Sequence, residues 1–310
     1  MDKEQSDAKV LAPEAKLAAP ASAAAVNGKT QIRWLIIALV TIVTFINYVD
    51  RTCINIAMPK IQQEFGFSNT EVGKIMTYFQ FGYVAAYLAA GILIDRIGAL
   101  FGFPLAVIFW SIATSLTGFA SRPWHFKAFP VMLGIGEAGC FPTCNKVASE
   151  WFPQHERPVA IGLYDGGTKL GLMLGAPLLT LIIGSFTWRH GFIIMGSLGI
   201  FWSILWLICY RRPEQHPWIN EAELRYIRQE PAQKQSSPGP TAGLRIRWWE
   251  LLSYKEVWGI MLLNLFTYCT WFVLVSWIPK YFLDARGINF KAMGFWAMVP
   301  YLGAAAGSII

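Results

Sequence analysis

FINYVDRTCINIA, residues 45–57, continues the apolar run WLIIALVTIV at 34–43, yet it sets Asp50 beside Arg51 in sequence that otherwise reads as lipid-soluble. An ionisable side chain near the bilayer centre costs roughly 2.5–3.5 kcal/mol on insertion scales, so it persists mainly where it faces a water-filled cavity, a partner or a substrate. Adjacent helical residues point about 100° apart, so the two charges do not simply neutralise each other. The pair is either an ion pair that locks helices together or a charged functional site inside a membrane helix.

The rest of the chain agrees with a membrane setting. Its 310 residues are 55% hydrophobic, 15% aromatic and only 15% charged, and the mean hydropathy is +0.40. The formal net charge of +7 is dispersed between apolar segments rather than gathered on one polar module, which argues for sidedness in a bilayer and against nucleic acid as a partner. The five cysteines, at 53, 140, 144, 209 and 269, fall in apolar segments, so a disulfide framework is not expected. The four histidines, at 125, 155, 190 and 216, lack ligand spacing, so no metal is expected.

Spans of roughly 20 apolar residues are expected at 32–58, 70–94, 102–120, 124–149, 158–184, 190–210 and 254–282, with an eighth beginning near 292. Residues 1–31 read as a disordered cytoplasmic tail, 32–210 as a complete N-terminal six-helix bundle, and the polar stretch 211–253 as a cytoplasmic linker. Residues 254–310 then read as the start of a C-terminal bundle truncated in its eighth helix. If the tail is cytoplasmic, that side holds about fifteen Lys and Arg against about eight outside, as the positive-inside rule requires. A glycine pair recurs with the same spacing, Gly73/Gly82 in the second span and Gly294/Gly303 in the eighth, as expected of transporter repeats.

Three stretches carry candidate chemistry. GILIDRIG, residues 91–98, has Gly91 for close helix approach, Asp95 where a carboxylate can face a helix's positive end, and Arg96 as an anchor at the cytoplasmic surface. Glu137 stands among the small residues of GIGEAG, where it serves either proton chemistry or a hydrogen bond to neighbouring backbone. In LYDGGTKLG, residues 163–171, Asp165 and Lys169 share a helix face, either as a self-satisfied pair or as a second anion contact.

G-x-x-x-D-R-x-G resembles the loop motif of the major facilitator superfamily, in which it helps latch the inside gate. With YVDR (48–51), GEAGCFPTCNK (136–146), EWFPQHER (150–157) and WFVLVSWIPKYFLDARGI (271–288), the resemblance narrows to the anion:cation symporter family. That family includes hexuronate, galactonate and glucarate permeases. The resemblance implies the all-α polytopic fold of the superfamily and assigns Arg51 to the substrate carboxylate and Tyr48 and Tyr83 to substrate hydrogen bonds. It places Thr168 in the cavity wall and gives Asp50 and Glu137 to proton handling; Lys169, next to Thr168, is added as a candidate substrate contact on its charge alone. Gly91, Asp95 and Arg96 form the gate.

Two positions depart from the family pattern: Ala99 follows Gly98 where Arg or Lys is usual, and Pro130 stands where an arginine precedes the fourth-span glutamate. The first weakens the latch, and the second removes a cation expected to tune Glu137. The expected protein is an inner-membrane, multi-pass, monomeric symporter with its N-terminus in the cytoplasm. It moves a small organic anion with protons by alternating access, with membrane lipid around it and no cofactor beyond the coupling proton. The rival readings are an inactive truncated relative and a membrane-embedded enzyme. The second is disfavoured by the lack of HExxH or GxSxG and of a nucleophile–base pair.

Overall fold

The fold is described for residues 28–228 and 248–307 of a computed structural model. Most of the expected tail, residues 1–27, and the middle of the expected linker, 229–247, lie outside the described residues. Among the described residues the regular structure is helical throughout. The helices are α1 (Ile32–Phe65), α2 (Asn69–Ile97), α3 (Ala99–Gly118), α4 (His125–Glu137), α5 (Cys140–Trp151), α6 (Arg157–Ser185), α7 (Trp188–Cys209), α8 (Glu221–Ile227), α9 (Lys255–Asp284) and α10 (Phe290–Gly307). Six of them, α1, α2, α3, α6, α7 and α9, are long and apolar enough to cross a membrane.

Local sequence sets the turns. α1 runs on to Phe65 and stops at Gly66, whose φ of 71° is the left-handed cap that glycine adopts without strain. Ser68 then opens α2 with a capping box: its hydroxyl accepts from the Glu71 N–H while the Glu71 carboxylate accepts from the Ser68 N–H. Between α2 and α3 Gly98 has φ 83°, so the last glycine of the GILIDRIG motif is fixed by backbone geometry.

The expected single span at 124–149 is instead two helices, α4 and α5, separated at Ala138 and Gly139. Pro142, which has no N–H to bond the carbonyl of Ala138, removes one ladder bond at this junction, as Pro59 and Pro177 do within helices that run on unbroken. Both junction residues keep helical dihedrals, and the chain continues its crossing. Glu137 is the last residue before the break.

α1 packs along α6 and against α7, α3 lies between α7 and α4, and α2 lies on α4. The α1/α3/α7 seam is aromatic. Trp202 and Trp206 stack at 5.1 Å with Phe103 edge-on to both. Their indole N–H groups donate to the carbonyls of Leu39 (2.9 Å) and Ala99 (3.2 Å). α10 lies along α6, and α9 reaches α1.

The linker expectation needs revision for residues 211–228, which are docked onto the first bundle. Glu223 of α8 is fully buried. It accepts from the Thr30 hydroxyl (2.5 Å), from the backbone N–H groups of Ile32 and Arg33 that open α1, and from Arg33 Nη1 (3.1 Å). Arg33 also reaches Glu156 (3.2 Å), and Glu156 accepts from Tyr226 (2.5 Å). Burial and this bond to Glu156 push the Tyr226 phenol above its ordinary range. A carboxylate at the helix N-terminus satisfies N–H groups that have no intrahelical partner and complements the helix dipole.

Removing one partner of a buried ion pair costs about 3–5 kcal/mol, so Glu223→Ala is expected to lower the melting temperature in detergent markedly. Glu221→Ala, which breaks a largely exposed pair with Arg225, should leave it almost unchanged. Equal effects of the two substitutions would show that α8 is not a structural clamp.

Candidate functional site

Arg51 projects from α1 towards α4 and α2. Its Nε donates to Glu137 Oε2 at 2.5 Å, and the glutamate side chain is fully buried while that of Arg51 is 22% exposed. The guanidinium sits against three rings, Tyr48 at 4.9 Å, Phe79 at 5.0 Å and Tyr83 at 4.9 Å, so it is held by cation–π contacts as well as by its ion pair. Nη2 is buried without a hydrogen-bond partner, as is Glu137 Oε1. The arrangement is a cation fixed at one edge, flanked by three aromatic rings and unsatisfied at Nη2.

Small residues create this proximity. A Cβ on Gly82 of α2 would collide with the Val131 carbonyl of α4. One on Gly134 would meet the Phe79 carbonyl and lie 2.7 Å from the Tyr83 nitrogen. The α2/α4 crossing therefore depends on reciprocal glycines, and it brings Phe79 and Tyr83 to Arg51. Gly136 packs closely on Trp110 too, whose Cβ would lie 2.8 Å from an added methyl. Gly91, expected to permit close approach, has nothing within 4 Å: helix contact is made further up α2, at Gly82.

Asp50 points elsewhere. It is 1% exposed, and neither oxygen has a hydrogen-bond partner. The Trp110 indole and Glu137 are its polar neighbours, but the indole N–H is itself unbonded, so the approach falls short of a formed bond. The ion pair at this depth is Arg51–Glu137, between α1 and α4, not Asp50–Arg51. Behind it lies a polar interior of Asn47, Asp50 and Trp110, all buried with unsatisfied atoms.

The other expected site residues separate into three places. Tyr48 and Tyr83 line the arginine. Asp165 and Lys169 form a pair at 3.3 Å on α6 with half-exposed side chains, and Asp165 lies within electrostatic reach of Tyr48. Thr168 is 1% exposed, its hydroxyl turned back to the Asp165 carbonyl at 2.6 Å, which puts it in a packed seam. At the far end of α2, Asp95 pairs with Lys146 at 3.1 Å, and the same ammonium donates to the carbonyls of Ile94 and Asp95. Arg96 is exposed. Phe79 and Asn47 were legible only as neighbours at helical spacing, Phe79 four residues before Tyr83 and Asn47 four before Arg51. Trp110 carries no such signal, because only tertiary packing brings α3 to Asp50.

Residues 40–310 match the family model of the Major Facilitator Superfamily. The chain belongs to that superfamily. A D-galactonate transporter of Escherichia coli O6:H1 (strain CFT073) is 32% identical over 286 residues, covering 90% of this chain and 66% of that protein. A galacturonate transporter of Dickeya chrysanthemi is 30% identical over 280 residues, covering 90% of this chain and 80% of that protein. These relatives bear out the resemblance to the anion:cation symporters. The fold is shared with a bacterial homologue of the human lysosomal transporter Spinster, solved inward-facing and unoccupied. The TM-score is 0.76 at 22% identity over 91% of this chain and 62% of that one. The chain thus spans about two thirds of the length of several proteins it matches. Family and fold are those of transporters rather than enzymes.

Proposed function

We propose that this facilitator-superfamily protein is a proton-coupled symporter of a small organic anion of the sugar-acid class, working across the inner membrane by alternating access with its N-terminus in the cytoplasm. The observation that carries the reading is Arg51: a cation at membrane depth, partly exposed, with Nη2 unpartnered and aromatic rings on its faces. A guanidinium so placed suits a planar carboxylate, and aromatic rings suit the C–H faces of a sugar chain. The relatives named above are transporters of galactonate and galacturonate, acids of that chemistry.

Coupling follows from the charge count. Asp50, Arg51 and Glu137 would carry a net negative charge in the interior if both acids were ionised. Asp50, buried without a counter-cation, is the acid that keeps its proton, and Glu137, paired with Arg51, is the one whose proton exchanges as substrate takes its place. Substrate and Glu137 then compete for Arg51. Alternating access is supported by where the two halves meet. Lys280 of α9 donates to Gln62 of α1 (2.8 Å), and Lys60 donates to the Ile183 carbonyl (2.8 Å) while lying over the Phe290 ring (4.6 Å). These contacts lie at the C-terminal ends of α1 and α6, the end opposite the Asp95 motif.

Uptake of labelled organic acids into proteoliposomes tests the reading. Accumulation of a sugar acid driven by an inward proton gradient, and lost on Arg51→Ala, is expected. Uptake of no acid in the panel, or uptake indifferent to Arg51, would overturn it.

A further inference from the structure

We infer that Asn47 is the positioning residue of the proton step: its buried side-chain amide pairs with the protonated Glu137 carboxyl once Arg51 has been released to substrate. The inference rests on the proton-coupled reading above and names a further residue of that same site.

Asn47 stands three residues before Asp50 and four before Arg51 on α1, so its direction from the helix axis falls between theirs, one turn nearer the helix N-terminus. Arg51 Nε holds Glu137 Oε2, which draws the carboxylate over this part of α1. Besides Arg51, the Asn47 amide is the polar side chain that draws near Glu137. Yet Asn47 Nδ2, Asn47 Oδ1 and Glu137 Oε1 are all buried without a hydrogen-bond partner. An amide brought close and left unbonded belongs to a contact that the ion-paired state does not use.

Glu137 needs a different partner in each protonation state. Ionised, it accepts from Arg51. Protonated, it has an O–H to donate, and a guanidinium offers no acceptor. Asp50, Arg51 and Tyr48 face it from α1 and Tyr83 from α2, while α3 presents Trp110 beside Gly136. Tyr48 and Tyr83 turn their rings to the guanidinium, the indole is a donor only, and Asp50 keeps its own proton on the reading above. Asn47 supplies what is missing. An acid and an amide pair edge to edge, the carboxyl O–H donating to Oδ1 and Nδ2–H donating to the second carboxyl oxygen. That arrangement satisfies the three orphaned atoms together, whereas an ionised carboxylate would meet Oδ1 with like partial charge. The proton stays on Glu137 throughout, and Asn47 neither gives nor takes one.

Burial makes the pairing consequential. Asn47 and Glu137 are fully buried, and the Arg51 side chain, 22% exposed, is the part of the cluster that solvent reaches. When Arg51 turns to substrate, no water takes its place at the carboxyl, so the amide decides how readily the neutral acid forms. Without the amide the ion pair keeps all its contacts and the protonated state loses one. A higher proton concentration is then needed before Arg51 is released. At the low-pH limit Glu137 is protonated both before and after substrate binds, so the limiting affinity is retained.

The test measures galactonate binding against pH in the nanodisc-reconstituted protein, for the wild type, Asn47→Leu, Glu137→Gln and the double variant. Leucine matches the amide in size and changes no charge. Asn47→Leu is expected to move the pH at which binding tightens down by about half to one unit, the effect of one hydrogen bond. Its low-pH affinity should stay within about twofold of wild type, and it should have no effect on affinity in the Glu137→Gln background. Asn47→Ala should give the same displacement and serves in its place if the leucine variant does not fold. A packing role would instead weaken binding at every pH and persist in the Glu137→Gln background. That result, an unmoved or upward-moved midpoint, or failure of both Asn47 variants to fold overturns the inference and leaves the symport reading standing. A pH dependence that Glu137→Gln does not remove, or no galactonate binding by the wild type, overturns the underlying reading and this inference with it.

Discussion

Arg51→Lys is expected to fold as the wild type does and yet bind substrate about as poorly as Arg51→Ala. The guanidinium presents a planar fork that an ammonium does not reproduce, and it lies within cation–π distance of three rings. Truncating one partner of a buried charged contact typically costs 2–5 kcal/mol, so a loss of about a hundredfold in affinity is expected. Arg51→Ala also strips Glu137 of its counter-ion and leaves a buried charge unpaired, so poor folding of that variant by itself would say little. The double substitution Arg51→Ala with Glu137→Gln removes both charges together. It should recover thermal stability without recovering binding. Near wild-type affinity in Arg51→Lys would reduce the residue to a general positive charge. Stability lost equally in the lysine and alanine variants would make the ion pair a structural lock between α1 and α4.

Arg51 was legible in the sequence because charge at membrane depth is costly and therefore conspicuous, and the family through motifs such as GILIDRIG and YVDR. So were the helices, whose apolar runs exceed the bilayer thickness. The partner of Arg51 was not: helix geometry already set Asp50 apart from it, but Glu137 lies 86 residues on, and only tertiary packing brings the two together. The break after Glu137 had no distinguishing mark in the apolar run, because Pro142 removes one ladder bond just as Pro59 and Pro177 do in helices that run on. Glu223 was invisible for the opposite reason. A carboxylate in a polar linker looks solvated, and only the docking of α8 onto the start of α1 reveals a buried clamp. Glycines were the least predictable class. Gly82 and Gly134 hold a backbone crossing, whereas Gly91 faces open space, and nothing local distinguishes them.

Glu137→Gln is expected to separate binding from coupling. An ionised Glu137 occupies Arg51 Nε, and a protonated one releases it, so in the wild type substrate binding should tighten as pH falls. Where one proton is taken up with each substrate, affinity changes by up to about tenfold per pH unit, and linkage requires that substrate in turn strengthen proton binding. Glutamine resembles the protonated acid. The variant should therefore bind at the low-pH affinity across the whole range and keep counterflow exchange, while losing accumulation driven by a proton gradient. Asp50→Asn should disturb the pH profile much less, because Asp50 makes no contact with Arg51 and asparagine resembles the protonated form assigned to it. Binding measured against pH for the three proteins decides the matter. Superimposable wild-type and Glu137→Gln curves would pass the coupling role to Asp50. A pH dependence that survives both substitutions would make the two acids structural, and the chain a facilitator of passive anion movement rather than a symporter.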